Sequence, residues 1–203
     1  ALKEAFDDGR LAHAWLISGP KGIGKATLAY RFARYVLSDG KILASSTESP
    51  RLFKEDYLPE IELGVLGKGP LYISPNHPVF KRVAAGGHTD LMSVERTINE
   101  KTRKLRTEIV VDDVRMVGNF FHFTAGEGGW RIVVIDSADE MNINAANAVL
   151  KVLEEPPPKA LLLLVSHNPG QLLGTIRSRC RKLSLQPLEK EIASSLIHCW
   201  QHD

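Results

Sequence analysis

A glycine-rich stretch, GPKGIGKATL at residues 19–28, constrains the fold of this chain more than any other feature. Gly19, Gly24 and Lys25 complete the spacing G-x-x-x-x-G-K, and Gly22 adds a further flexible position. In this pattern the glycines let backbone N–H groups turn onto phosphate oxygens, and the lysine reaches the outer phosphates. The stretch therefore predicts a phosphate-binding loop.

The residues on either side of the loop agree with this interpretation. An apolar run at 13–18 predicts a buried strand, and apolar residues at helical spacing over 26–38 predict a helix. A strand before the loop and a helix after it are the context that such a loop requires. The N-terminal end of that helix also favours an anion at the same point.

The residue after the lysine departs from the usual pattern. Ala26 stands where a side-chain hydroxyl normally binds magnesium, and the alanine side chain has no oxygen. Thr27 lies about 100° further round the helix, so it does not replace that ligand directly, although an inner phosphate is within its reach. We expect nucleotide binding to survive with weakened magnesium placement. ATP with magnesium is then a weak ligand, and no cofactor is required.

Apolar strands alternate with helices along the rest of the chain. Because these strands are apolar throughout, they are typical of a parallel sheet covered by helices on both faces. Residues 39–88 are rich in proline and glycine and predict an irregular insertion or loop. The pattern predicts strands at 89–95, 131–136, 161–166 and 181–186. It predicts helices at 111–123, at 142–155, within 169–180 and from 188. Asn142 is the expected N-cap of the helix at 142–155, and Pro156, Pro157 and Pro158 end that helix and form a rigid loop.

The strand at 131–136 ends in a carboxylate that can serve the phosphate loop. Asp136 is placed to orient magnesium from a neighbouring strand tip. Hydrolysis also needs a group that activates water, and the next residue is Ser137, a poor base. Asp139 and Glu140 follow on what we interpret as a solvated turn beside a helix N-terminus. Ala26 and Ser137 together predict that ATP turnover is poor or absent.

The composition and net charge of the chain limit the class of protein to which it can belong. The chain has 203 residues, of which 43% are hydrophobic and 25% charged, as in a globular protein of one domain or one domain with part of another. A net charge of +2 does not by itself indicate nucleic acid binding. No apolar run is long enough to span a membrane, and we expect no signal peptide. The chain starts at Ala1 and ends as a helix begins, so we expect a fragment of a longer protein.

The cysteines, the histidines and one basic run are further candidates for binding sites. Cys180 and Cys199 form no C-x-x-C, which fits a reducing compartment, and we interpret them as small apolar residues. The histidines have no metal-ligand spacing. The short basic run, without aromatic residues, is interpreted as a solvated face in preference to a phosphate contact. The histidines concerned are His77, His88 and His122, and the run comprises Lys101, Arg103, Lys104 and Arg106.

Three segments together resemble the bacterial clamp-loader subunits of the AAA+ class. They are RLAHAWLISGPKGIGKATLA at 10–29, IDSADEMNINAANAVLKVLEEPP at 135–157 and LLLLVSHNPGQLLGTIRSRC at 161–180. The resemblance covers most of residues 10–190. It implies a RecA-like AAA+ α/β domain over 1–186, with an insertion at about 40–88, and the truncated start of a helical lid domain over 187–203.

The resemblance also implies a function and a set of partners. Such subunits belong to the DNA polymerase III complex and help to load a ring-shaped sliding clamp onto primer–template DNA during replication in the cytoplasm. The implied partners are the tau/gamma and delta subunits and, through the complex, the clamp and the DNA. The substitutions Ala26 and Ser137 indicate a member that does not hydrolyse ATP. The alternative is an ATP-hydrolysing motor of the tau/gamma type. A small-kinase phosphotransferase is less favoured, because it gives no role to the motifs LEEPP (153–157) and SRC (178–180).

Further residue roles come from the resemblance alone. It implies that Arg179, in Ser178-Arg179-Cys180, is an arginine finger given to the ATP of a neighbouring subunit; the alternative is pairing with a surface carboxylate. It implies a phosphate sensor at Asn168 or Ser166; the alternative is a polar turn. Family members usually carry a four-cysteine zinc module, but 40–88 contains no cysteine, so we predict no zinc.

Overall fold

The computed structural model describes residues 1–39, 69–123 and 129–189. In these ranges the α-helices are α1 (Leu2–Asp7), α2 (Lys25–Leu37), α3 (Pro78–Ala84), α4 (Val111–His122), α5 (Ile143–Glu154) and α6 (Gly174–Arg179). The strands are β1 (Ala14–Ser18), β2 (Leu91–Val94), β3 (Arg131–Ile135), β4 (Ala160–Ser166) and β5 (Arg181–Ser184). None of the helices in the described ranges has the length and apolar character needed to cross a membrane.

The five strands form one parallel sheet in the order β2-β3-β4-β1-β5. β1 lies between β4 and β5, with Leu16 beside Leu164 and beside Lys182. β3 pairs with both β2 and β4. Since all strands run the same way, their carboxyl ends meet at one edge of the sheet, where ligands of open α/β folds bind. The predicted parallel α/β sheet is confirmed.

Successive residues of the central strands point to opposite faces of the sheet, and each face has its own core. Leu16 and Leu162 pack on the side of α4, α5 and α6. Trp15 and Leu163 pack on the side of α1 and α2, against Phe32. These five side chains are 1% exposed or less, which explains why the strands are apolar in every position rather than in alternate ones.

The predicted helix ends are formed by the residues that the sequence indicated. The side-chain oxygen of Asn142 accepts a hydrogen bond from the Ala145 N–H at 2.9 Å, so Asn142 is the N-cap of α5. α5 ends at Glu154, just before the three prolines. At the start of α4, the Asp113 carboxylate accepts from the Val110 N–H at 3.0 Å.

Two short helices differ from the sequence-based expectation. α1 was not predicted, although Leu2 and Ala5 are buried. α3 lies inside 39–88, which was predicted to be irregular. His77 accepts the Val79 N–H through Nδ1, and Pro78 opens the helix, a position where proline needs no N–H and is favoured. The prediction treated this proline as a breaker of structure and was wrong for residues 78–84.

Other predictions lie outside the described residues. They concern most of the insertion (40–68) and the helix from 188, of which residues 190–203, including Cys199, belong to no described range. The chain after β5 is described as far as residue 189 and has no regular secondary structure there.

Candidate functional site

An open cleft of about 560 Å³ lies at the carboxyl edge of the sheet. It is bounded by the loop after β1, by the start of α2 and by the residues that follow β2, β3 and β4. The lining residues are Lys21, Gly22, Gly24, Lys25, Ala26, Thr27, Glu95, Arg96, Leu105, Asp136, Ser137, Glu140, Val165 and His167. The structure thus brings the predicted phosphate loop and the predicted acidic strand end to one cleft.

The glycines of the phosphate loop are required for different structural reasons. Gly22 and Gly24 both have φ of +85°, and a Cβ added at either would meet no atom within 4 Å. Their conformation is what needs glycine, and they leave the loop surface open toward the cleft. Gly19 has φ of +148°, and a Cβ there would lie 2.4 Å from the carbonyl oxygen of Leu185. Gly19 does not line the cleft; it lets the loop pack against the end of β5.

Lys25 is held inside the loop. It is 3% exposed, and its Nζ donates a hydrogen bond to the Pro20 carbonyl at 2.6 Å. Burial lowers the pKa of the Lys25 ammonium, while the negative charges of Asp139 and Asp136 oppose that change. A buried ammonium with one backbone partner has capacity for further acceptors, since an ammonium carries three N–H groups. Phosphate oxygens are such acceptors.

The donors for magnesium are incomplete on the loop side. Ala26 and Thr27 both line the cleft, but Ala26 has no oxygen at the position where a ligand is expected. On the sheet side, Asp136 and Glu95 follow the neighbouring strands β3 and β2. Burial raises the pKa of the nearby Tyr30 hydroxyl, and the negative charges of Asp136 and Glu95 raise it further. The residues present do not fit the usual magnesium arrangement of a phosphate loop.

Ser137, the residue after Asp136, is joined to the residue that follows β4. It has φ of +57°, and its Oγ lies 3.1 Å from Nε2 of His167. His167 lines the cleft, whereas Asn168 and Ser166 are not among the lining residues. Ser166 is fully buried, and its hydroxyl has no hydrogen-bond partner among the residues that the structure describes. Sequence reasoning placed a polar group at the end of β4 but did not identify His167; its position directly after the strand was the available signal.

The turn expected at Asp139 and Glu140 is present, but both carboxylates bind other parts of the chain instead of facing only solvent. They belong to a short 3-10 turn, Ala138–Glu140. The Asp139 carboxylate accepts the backbone N–H of His167 at 2.9 Å and of Asn168 at 3.2 Å, so it joins the turn after β3 to the end of β4. Glu140 forms an ion pair with Arg96 at 2.8 Å on the wall of the cleft.

Arg179 lies away from the cleft, at the end of α6. Its Nη2 lies 2.9 Å from Oε1 of Glu154, and its Nη1 donates to the Thr175 carbonyl at 3.1 Å. The side chains of Arg179 and Glu154 are 37% and 50% exposed, so a neighbouring molecule has access to both. Within this chain the arginine makes the carboxylate pairing that was its alternative role. Its role toward a neighbour stays a prediction.

The remaining candidates lie apart from the cleft. Cys180 is buried, as expected of a small apolar residue, and burial raises the pKa of its thiol to about 12. His88 is buried and His77 caps α3. The part of the chain that the structure describes holds no group of three or more His, Cys, Asp or Glu side chains suited to a metal. Lys101, Arg103 and Lys104 are exposed, and Arg106 lies 4.0 Å from Asp113.

The sequence of this chain is similar to known proteins over most of its length. The sequence model of the family described as "DNA polymerase III, delta subunit" matches residues 74–189. The chain belongs to this family. It is 37% identical to the DNA polymerase III subunit delta' of Pseudomonas aeruginosa over 83% of its length, and 31% identical to that of Bacillus subtilis over 97%. It covers 42% and 49% of those two proteins, so it spans less than half of the relatives it matches.

Two further similarities concern a tau subunit and a solved structure. The chain is 26% identical to the DNA polymerase III subunit tau of Escherichia coli over 94% of its length, which is 24% of that protein. A solved structure of a DNA polymerase III gamma subunit-related protein from Thermotoga maritima superposes with a TM-score of 0.58 at 18% identity, covering 99% of this chain and 51% of that one. The latter similarity confirms the α/β fold of this delta-family chain.

Proposed function

We propose that this chain is the AAA+ portion of a delta prime type clamp-loader subunit of DNA polymerase III, and that its own nucleotide site does not hydrolyse ATP effectively. The state of the cleft carries the proposal. Ala26 removes the loop's magnesium ligand, and Ser137, which stands in place of a base, is bound to His167. The glycines and Lys25 keep the shape of a phosphate loop, so we expect weak nucleotide binding there.

The rest of the protein and its partners follow from the family. The relatives are about twice as long as this chain. We infer that a helical lid begins near residue 187 and that a further domain completes the subunit. The subunit then assembles with tau/gamma and delta subunits in the cytoplasm and supports the loading of a sliding clamp onto primer–template DNA. Polymerisation belongs to the complex and not to this chain.

In this assembly Arg179 is the residue that acts on ATP. A guanidinium given to a neighbour's nucleotide stabilises charge on the transferring phosphoryl group and raises the rate by about 10³- to 10⁵-fold in the best-known cases. Two features support this role. Arg179 lies at the exposed end of α6, outside the chain's own cleft, and it stands in the SRC motif that carries the resemblance.

The alternative function is an ATP-hydrolysing motor subunit. The intact glycine and lysine spacing favours it, as does the similarity to a tau subunit. The two functions differ in where hydrolysis occurs. In the proposed function it occurs on a neighbour and depends on Arg179; in the alternative it occurs on this chain and depends on Lys25.

The test uses the full-length subunit reconstituted with its tau/gamma and delta partners, the clamp and primed DNA. ATP turnover is measured for the natural subunit and for Arg179→Ala and Lys25→Ala variants. We expect Arg179→Ala to lower turnover at least tenfold and Lys25→Ala to leave it unchanged. The opposite pattern would assign hydrolysis to this chain. Gel filtration of each complex shows whether the variant subunit still assembles.

A further inference from the structure

The LEEPP motif and the SRC motif meet in an ion pair on the surface. Glu154 is the last residue of α5, and Arg179 is the last residue of α6. The Nη2 to Oε1 distance of 2.9 Å is that of a charge-assisted hydrogen bond. The two motifs, which lie 25 positions apart along the chain, therefore share one polar contact.

The local fold fixes both partners. Pro156 and the prolines after it stop α5, because a proline cannot continue the helix and restricts the residue before it. Glu154 is thus held in the last turn. On the other side, the Thr175 carbonyl accepts from Arg179 Nη1 at 3.1 Å and from Ser178 Oγ at 3.1 Å. The guanidinium is held from two directions, by a backbone carbonyl of its own helix and by the carboxylate of α5.

Helix electrostatics alone do not explain the position of Glu154. A carboxylate at the C-terminal end of a helix faces the negative end of the helix dipole and is unfavourable there, whereas a cation is favourable. The helix dipole favours the positive charge of Arg179 at the end of α6, but it disfavours the negative charge of Glu154 at the end of α5. The contact with Arg179 offsets the unfavourable helix-dipole interaction of this carboxylate.

We propose that Glu154 is a positioning residue that orients Arg179 toward the nucleotide of a neighbouring subunit. The inference rests on the proposed function. A guanidinium carries five N–H donors in a fixed plane, and Glu154 and Thr175 occupy one each. The remaining donors are left for phosphate oxygens. A guanidinium whose orientation is set before the neighbour arrives loses less rotational freedom in the transition state, and this raises kcat.

The test measures ATP turnover by the reconstituted complex with full-length Glu154→Ala, Glu154→Gln, Arg179→Ala and Glu154→Ala/Arg179→Ala subunits. We expect Glu154→Ala to lower kcat by about fivefold with an unchanged KM for ATP, as for a misplaced catalytic group. Glu154→Gln keeps an acceptor oxygen and is expected to lie between Glu154→Ala and the natural subunit. The double variant is expected to match Arg179→Ala, because residues that act through one another are not additive.

Glu155→Gln is the matched control. It removes the adjacent charge from an exposed side chain that makes no ion pair with any residue in the described ranges, so kcat is expected to stay unchanged. Equal kcat for Glu154→Ala and the natural subunit, with Arg179→Ala still impaired, overturns the positioning role and leaves the proposed function standing. A normal rate for Arg179→Ala removes both. A double variant slower than Arg179→Ala means that Glu154 acts by another route, which also overturns the inference.

Discussion

Single glycines in the phosphate loop are required for different physical reasons. Gly19 needs both its conformation and its lack of a side chain, since a Cβ would lie 2.4 Å from the Leu185 carbonyl oxygen. Gly24 needs only its conformation, with φ of +85° and open space around it. The sequence motif treats the two positions alike, whereas the structure separates a packing glycine from a loop-surface glycine.

A pair of alanine substitutions measures that difference. We expect Gly24→Ala to lower the free energy of unfolding by about 1 to 2 kcal/mol, the cost of a non-glycine residue at positive φ. Gly19→Ala is expected to cost about 1 to 3 kcal/mol more, because an overpacked contact adds to the strained φ. Chemical denaturation of both variants gives the two values. Equal losses would mean that β5 moves away from the loop without cost.

The buried thiol of Cys180 makes stability depend on pH in the alkaline range. Burial raises its pKa from 9.0 to about 12. Above about pH 9 the unfolded chain loses this proton and the folded chain keeps it, so stability falls as pH rises from about 9 to 12. Between pH 8 and 10.5 we expect the thiol to account for a loss of about 2 kcal/mol, since one pKa unit is about 1.4 kcal/mol.

The contribution of Cys180 is isolated by comparison with Cys180→Ala. Burial also raises the pKa of Tyr30 and Tyr35, so their hydroxyls add to the alkaline decline in both proteins. The natural protein is therefore expected to lose about 2 kcal/mol more than the variant over the same pH range, measured by urea denaturation. Parallel pH profiles would show that the thiol ionises as readily in the folded chain as in the unfolded one.

At the level of elements, the turn after β3 and the end of β4 behave as one unit. Asp139 accepts two backbone N–H groups from β4's carboxyl end, and Ser137 bonds His167 beside them. Both sides of this connection carry residues of the cleft. The geometry of the acidic strand end thus depends on a contact between elements that lie 28 residues apart in sequence.

Asp139→Ala tests that connection. Loss of a charged acceptor is expected to lower the free energy of unfolding by about 1.5 kcal/mol and to expose two backbone donors. In hydrogen exchange, the amides of His167 and Asn168 should lose protection while those of Leu162 and Leu164, inside the sheet, keep it. Glu140→Gln serves as control, because its partly exposed ion pair with Arg96 is expected to contribute only about 1 kcal/mol or less. Unchanged exchange at His167 would contradict the connection.

The sequence predicted elements well where one local pattern determines them. The apolar strands, the Asn142 cap and the proline stop at the end of α5 each depend on a few neighbouring residues, and all are present. α3 was missed because its signal, a proline after a capping histidine, also fits a loop. The Asp139 contacts and the Glu154–Arg179 pair were out of reach, because they depend on which strand tips and helix ends become neighbours in the folded chain.

For the whole molecule, the two departures from an ATPase line one cleft but belong to different elements. Ala26 lies in the first turn of α2, which follows β1 and the phosphate loop, and Ser137 follows β3, with β4 between these two strands. Restoring the usual residue at position 26 or at position 137 alone still leaves the other position without its usual group. Magnesium-dependent binding and hydrolysis therefore should return in separate steps, the first with a hydroxyl at position 26 and the second only when a carboxylate also stands at position 137.

The experiment compares the isolated full-length subunit with its Ala26→Thr and Ala26→Thr/Ser137→Glu variants. In the natural protein we expect magnesium to change ATP affinity little. In Ala26→Thr magnesium should tighten binding about tenfold, the change that about 1.4 kcal/mol produces. ATP turnover should be absent in both and detectable only in the double variant, because Ser137→Glu supplies the base. Calorimetry gives the affinities and phosphate release gives the turnover. Turnover by the natural subunit that disappears in Lys25→Ala would instead mean that Thr27 or a carboxylate of the sheet side already completes the site, and the chain would then be a motor.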